Sequence, residues 1–300
     1  MPVPVVFHAA TRLHNPGPGH PERAERIEAV LAALRAPDLT ATVTWVEGRL
    51  ATRDELERVH TTGYLDALER LARGGGGSLD PDTVMSPDSW DAALAAAGVA
   101  MGAVEQGIAR GTGFGATRPP GHHALAGRAM GFCLINNVVV AARHAQQMGK
   151  PRVLIVDWDV HHGNGTQALV ERDPSIRYVS MHQYPWYPGT GAVDERGVGN
   201  VFNVPRPPGL AREVYVRDLL AAVDAALAGW PPDLLLISAG FDSLAGDPLG
   251  GFTLEPQDMA HWTSAFRARV APAPVVGLLE GGYRLDLLAA GARAHVRALA

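Results

Sequence analysis

The sequence predicts a single α/β domain over residues 1–300, built on one parallel sheet with helices on both faces. Three observations carry that expectation. Short apolar runs of strand length alternate with helical patterns about eight times, the rhythm of βαβ units. The run Val153-Leu-Ile-Val156 is apolar without alternation, as in a parallel strand covered on both faces. Polar clusters then recur just after strand ends: His122/His123, Asp157–His161, Ser180–His182, Asp242 and Tyr283. That is where one shared site would lie at the carboxyl edge of an open sheet. No composition shift, linker or repeat divides the chain.

In order, Val3–Phe7 reads as a first strand. His20-Pro-Glu-Arg23 opens a helix whose Ile27, Val30, Leu31 and Leu34 share a stripe. Val43–Val46 is a second strand, and Thr52-Arg-Asp-Glu55 a capping box for the helix after it. Gly74–Gly77 is flexible and reads as a surface loop in preference to a binding rim. From Ser86-Pro87 an Ala-rich helix runs to about Arg110, and Gly113–Ala116 leads into Arg118-Pro-Pro-Gly-His-His123, a loop because two prolines cannot continue a helix. A helix follows Asn136-Asn137 and runs through Met148, capped by Gly149. After the strand from Val153 come a short helix over Gln167–Arg172 and a strand over Ile176–His182. Tyr184–Gly199 is too long for a mere connection and is a candidate active-site loop. Val201–Val204, Asp233–Ala239 and Val275–Leu279 are strands; Arg212–Ala228, Glu255–Val270 and a C-terminal segment are helices.

A net charge of −5 without a long block of like charge gives no footprint for nucleic acid. One cysteine allows no internal disulfide. Met-Pro-Val-Pro lacks the pattern of a signal peptide, and apolar runs such as Leu234–Ile237 are short for a membrane span. The expectation is a soluble cytoplasmic protein with neither nucleic acid nor membrane as partner; its oligomeric state is not legible.

On a strand, residues 157, 159 and 161 point the same way, so two aspartates and a histidine converge and call for a cation. Asp159, His161 and Asp242 supply three nitrogen and oxygen ligands, enough for a catalytic zinc with one position open; two carboxylates also suit iron(II) or another divalent ion. His122 and His123 offer an acid and a base in a loop stiffened by prolines, and Asp157 and Asn164 are spare polar groups able to orient them. Tyr283, after Glu280-Gly281-Gly282, has a hydroxyl to offer an oxyanion. Together these parts describe metal-assisted hydrolysis of an amide or ester.

The strings Arg118-Pro-Pro-Gly-His-His123, Gly131-Phe-Cys133, Asp157-Trp-Asp-Val-His-His-Gly-Asn-Gly165, Ser238-Ala-Gly-Phe-Asp242-Ser-Leu-Ala-Gly-Asp247-Pro-Leu-Gly-Gly251 and Glu280-Gly-Gly-Tyr283 resemble the zinc-dependent histone deacetylase family, its class II branch and the bacterial histone deacetylase-like amidohydrolases in particular. The similarity runs from His20 to the last helix. It implies the arginase/deacetylase fold with an eight-stranded parallel sheet, and an enzyme that hydrolyses acetyl-lysine or another acylated lysine. It implies one zinc on Asp159, His161 and Asp242, with His123 as principal base and acid. His122 would be the more cationic histidine, paired with Asp157, and Tyr283 would polarise the acyl carbonyl. Asn164 stands where class I relatives carry an acidic partner for the second histidine. Phe132 and Tyr187, beside Gly131 and Gly281, would flank a tunnel for the acyl-lysine stem; the family usually has Phe at the second wall. A structural potassium would take Asp157, Asp159, Ser180 and the carbonyls of His161 and Met181, and Arg23 would line an inner acetate cavity. The pattern departs from two-manganese ureohydrolases, because Gly163 and Leu244 stand where those enzymes place further carboxylates. Leu249 replaces the glutamate of polyamine-specific relatives, which favours acyl-lysine over small acetylated amines; a silent acyl-lysine-binding module would not need the full catalytic set.

Overall fold

The computed structural model describes residues 1–300. In chain order the elements are β1 (Val3–Phe7), α1 (Glu25–Leu34), β2 (Val43–Glu47), α2 (Arg53–Glu57), α3 (Thr62–Arg73), β3 (Gly77–Ser78), β4 (Val84–Met85), α4 (Ser89–Arg110), β5 (Thr112–Gly115), α5 (Asn137–Gln147), β6 (Val153–Asp157), α6 (Asn164–Val170), β7 (Ile176–Gln183), β8 (Val201–Arg206), α7 (Arg212–Leu227), β9 (Leu234–Ala239), α8 (Pro256–Val270), β10 (Val275–Leu279) and α9 (Leu285–Leu299). Eight strands form one sheet in the order β2-β1-β5-β10-β9-β6-β7-β8, and every neighbouring pair is parallel.

Strand alternation sorts the apolar residues into two cores. Leu154, Val156, Leu235 and Ile237 pack on one face with α1, α7, α8 and α9. Val153, Ile155, Leu234 and Leu236 pack on the other with α2 to α6. Both faces of the central strands are therefore covered, which is why they read as unbroken apolar runs. The helix α4 is long and apolar enough to cross a membrane, unlike the shorter runs weighed in the sequence, but its most apolar window is 67% buried inside the domain.

Three expectations need correcting. Residues 112–115 form β5, a strand paired with both β1 and β10, where the sequence suggested only the approach to a loop. The helix α1 begins at Glu25, so His20-Pro-Glu-Arg23 is a turn; Glu22 is buried there by Arg26 and Arg118. The helix α6 begins at Asn164, three residues before the expected start, because its first turn packs on the histidine loop: Thr166 N–H donates to the His122 carbonyl at 3.0 Å. This tertiary contact overrides the weak helix propensity of Asn-Gly.

The direction of the connections places the site. From β6 the chain moves outward through α6 to β7 and β8, whereas from β9 it moves the opposite way through α8 to β10. Strands β6 and β9 are neighbours, so their carboxyl ends flank a topological switch point, where the diverging loops leave a crevice.

Candidate active site

The crevice holds Asp159 and His161 after β6 and Asp242 after β9. Their convergence does not come from strand alternation, as expected, because β6 stops at Asp157. Two successive turns achieve it instead: Asp157 Oδ1 accepts from the Asp159 N–H at 3.1 Å, and Asp159 Oδ1 from the His161 N–H at 3.0 Å. Asp242 Oδ1 accepts from the Val160 N–H at 2.9 Å, which locks the β9 loop to the β6 loop. The ligand atoms of Asp159, His161 and Asp242 lie within 4.8 Å of one another, and all three residues are buried. Asp242 Oδ2 is buried with no hydrogen-bond partner and lies 3.3 Å from His161 Nδ1. Burial, with Asp159 beside it, raises the Asp242 carboxyl to about 7. Burial opposes charge on His161, yet the neighbouring carboxylates of Asp159 and Asp242 lift it to about 10. An orphaned carboxylate oxygen and two crowded acids around an imidazole fit a divalent cation. Gly281 belongs to this floor rather than to a substrate wall: its N–H donates to Asp159 Oδ2 at 2.9 Å, and any Cβ there would collide with both carboxylates.

His122 and His123 lie with ring centroids 4.0 Å apart. Asp157 Oδ2 accepts from His122 Nδ1 at 3.0 Å and from the Tyr178 hydroxyl at 2.9 Å. Burial disfavours an imidazolium at His122, but Asp159 and Asp157 outweigh it and hold its pKa well above the usual value. His123 Nδ1 lies 2.8 Å from Asn164 Oδ1, which can only accept, so the ring carries its proton on Nδ1. Burial, then the charges of His122 and His161, keep the His123 pKa well below normal. The pair is thus split into a cation and a neutral base, because differing surroundings push the pKa values of two like groups apart and fit them for opposite roles.

A cavity of about 200 Å³ opens onto these groups. His123, His161 and Tyr283 face it from within, Gly131, Phe132 and Tyr187 form its walls, and Leu249, Trp186 and Asp82 stand at its mouth. Every expected tunnel residue except Gly281 lines it. Phe132 has φ 67°, a region costly for a residue with a Cβ; its N–H donates to Thr83 Oγ1 at 3.1 Å, and its ring meets His20 and Tyr283 at 4.7 and 5.8 Å. Thr83 and Asp82 sit on the connection between β3 and β4, so that connection forms part of the rim, while Gly74–Gly77 itself lies on the surface outside the cavity lining. The Tyr184–Gly199 loop carries Trp186 and Tyr187, as expected of an active-site loop.

Asp157 and Ser180 are register partners on β6 and β7, and Met181 follows on the same strand. Of the residues named for potassium, Asp157 therefore lies beside Ser180 and beneath His122, and Ser180 Oγ is also 2.9 Å from His182 Nδ1. Arg23 does not reach an inner cavity: it is exposed and lines a surface hollow with Arg12 and Asn15. The buried guanidinium below the site is that of Arg26, which donates to the carbonyls of Gly282 and Glu280 and lies 4.9 Å from the Tyr283 ring centroid. The Glu22–Arg26 spacing of four was the available sequence signal. Glu280 was also missed, although it follows a strand end like the other site carboxylates. It accepts from the Gly121 and His122 N–H groups at 2.7 and 3.2 Å and so fixes the histidine loop. Asp247 lies in the string after Asp242 that carries the resemblance, whereas Tyr178, Trp186 and Asp82 carry no local signal.

Comparison with known proteins gives a consistent picture. The family model of the histone deacetylase domain matches residues 20–299. A protein named probable deacetylase from Methanothermobacter thermautotrophicus is 38% identical over 98% of this chain and 90% of its own length. The histone deacetylase-like amidohydrolase of Pseudomonas aeruginosa is 36% identical over 88% of this chain and 73% of its own. The crystal structure of the HDA15 HD domain superposes with a TM-score of 0.95 at 36% identity, covering 99% of this chain and 88% of that one.

Proposed function

This chain belongs to the histone deacetylase family of hydrolytic deacetylases, and on that premise we propose that it is a zinc-dependent amidohydrolase removing acetyl or other acyl groups from the ε-amine of lysine. The carrying observation is that His123, His161 and Tyr283 face one cavity of about 200 Å³ whose walls are the rings of Phe132 and Tyr187. Such walls suit a thin alkyl stem. Asp159, His161 and Asp242 would hold the ion, which when bound supplies a Lewis acid that polarises the carbonyl and acidifies water. His123, protonated on Nδ1 and turned by Asn164, takes the proton from the attacking water on Nε2. His122, held cationic by Asp157, offsets the negative charge that develops. The Tyr283 hydroxyl donates to the acyl oxygen, and the proton on His123 passes to the leaving amine. Asp157, Asp159, Ser180 and the His161 and Met181 carbonyls form an oxygen donor set suited to a structural potassium.

Leu249 at the mouth offers no charge to a second ammonium, and Asp247 is occupied by three backbone N–H groups. Asp82 at the mouth is the one observation favouring a second reading, deacetylation of small acetylated amines. Acyl-lysine peptides and acetylated polyamines, assayed after chelation and after return of zinc or iron(II), decide the matter. We expect zinc-restored release of acetate from the peptides. Turnover confined to the small amines would overturn the lysine assignment, and undiminished turnover after complete metal removal would overturn the mechanism.

A further inference from the structure

Tyr283 follows two glycines, so its own backbone does little to fix the phenol. What holds it comes from elsewhere. The buried carboxylate of Asp247, on the loop after β9, accepts through Oδ2 from the N–H groups of Tyr283 at 2.7 Å and Arg284 at 3.1 Å. Its Oδ1 accepts from the Leu249 N–H at 3.0 Å. The Leu249 carbonyl in turn accepts from Trp186 Nε1 at 3.0 Å. A single carboxylate therefore ties the phenol-bearing turn to the residue at the cavity mouth, and through Trp186 to the Tyr184–Gly199 loop. The Tyr283 and Arg284 N–H groups also precede α9, where an acidic side chain is favourable in any protein.

We propose that Asp247 is a positioning residue for the hydrolytic reaction, setting the Tyr283 hydroxyl in register with the mouth of the cavity. This rests on the role given to Tyr283 above. Simple capping of α9 predicts the same hydrogen bonds but a different energetic signature. If Asp247 acts through the phenol, its effect on rate disappears once the hydroxyl is gone; if it only supports the fold, its effect persists.

The test is a double-mutant cycle of Asp247→Asn and Tyr283→Phe in the full chain, using whichever acylated amine the parent turns over. With Tyr283 present, Asp247→Asn is expected to lower kcat about tenfold or more while KM stays within about threefold, the scale of one lost charge-assisted hydrogen bond. In the Tyr283→Phe background the same change should alter kcat by less than about threefold. Equal losses in both backgrounds, or no loss in the first, would overturn the assignment. Should Asp247→Asn not fold, Asp247→Glu, which keeps the charge and changes its reach, enters the same cycle under the same criteria. A ¹⁹F spectrum with 3-fluorotyrosine at position 283 supplies a readout without substrate: the Asp247 variant should shift or broaden the resonance, and an unchanged spectrum counts against the proposal. The fluorine readout keeps this inference separable from the choice of substrate.

Discussion

Replacing Tyr283 by Phe isolates the contribution of one hydroxyl. The ring keeps its environment: Phe132 edge-on at 5.8 Å, the Arg26 guanidinium at 4.9 Å, and a backbone N–H fixed by Asp247. Burial holds the phenol pKa well above its usual value; Arg26 pulls it down, while Asp242 and Asp159 push it up. The group is therefore a neutral donor throughout the neutral range. A preorganised donor to a developing oxyanion contributes about 2.7–4 kcal/mol, so kcat should fall by about 10²–10³. KM should change little, because the ground-state carbonyl is a weaker acceptor than the oxyanion. Stability should shift by no more than about 0.5 kcal/mol, since the ring packing survives. Steady-state kinetics on an acetyl-lysine peptide, bound-zinc content and a thermal melt check the three statements. A kcat within about tenfold of the parent, with zinc content and melting unchanged, would refute the role given to the phenol.

Further outcomes follow from neighbouring groups. His123→Ala should lower kcat by about 10²–10⁴ with the fold intact, and near-normal turnover would remove it as the base. Glu280→Gln leaves one acceptor oxygen where a carboxylate serves Gly121, His122 and Ser238; denaturant unfolding should show a loss of about 1–3 kcal/mol, and kinetics a fall in kcat as the histidine loop loosens. Without metal, Asp242 keeps to about 7 a proton that the unfolded chain releases near 4, and His161 keeps to about 10 one released near 6.5. At these two groups the metal-free fold binds more protons than the unfolded chain, so their own contribution to stability falls as pH rises through those windows. Melts of chelated and zinc-loaded protein should diverge as pH is raised from about 5 to 8; a constant gap would contradict this. On the acid side, burial leaves His14, His60 and His182 at about 4, and His162 and His295 at about 3. The unfolded chain protonates these imidazoles near 6.5 while the fold does not, so their contribution to stability is lost as pH falls from about 6.5 towards 4. His60→Gln keeps both a donor for the Leu125 carbonyl and an acceptor for the Asn136 N–H, and should reduce the proton uptake on acid unfolding by about one.

The strands that carry the site were legible because burial on both faces leaves a continuous apolar signal in β6, β9 and β10. The strand β5 was not, because its sequence Thr-Gly-Phe-Gly has two glycines and one large apolar residue, and only pairing with β1 and β10 makes it a strand. The placement of Asp159, His161, Asp242, His123 and Tyr283 at one edge followed from their positions after strand ends. The residues that orient them were harder to see. Tyr178 is 21 positions from Asp157, and Asp247 is 36 from Tyr283; neither pair leaves a periodic trace. Arg23 and Arg26 differ by three positions, and choosing between them needs the start of α1, which depends on a buried ion cluster rather than on propensity.

The orienting contacts also explain how so many polar groups coexist below the sheet edge. Key groups of the site are held by partners that do not line the cavity: His123 by Asn164, Asp159 by the Gly281 N–H, Phe132 by Thr83, Tyr283 by Asp247. These partners come from α6, the β10 loop, the β3–β4 connection and the β9 loop, so no one segment can move without straining another. Such a frame keeps donors aimed at where charge will develop instead of letting them satisfy one another. Asp242 Oδ2 shows the cost of that arrangement, a buried carboxylate oxygen without a donor. A cation seated there would therefore stabilise the fold as well as supply the chemistry, and the two contributions should appear together when the ion is titrated back.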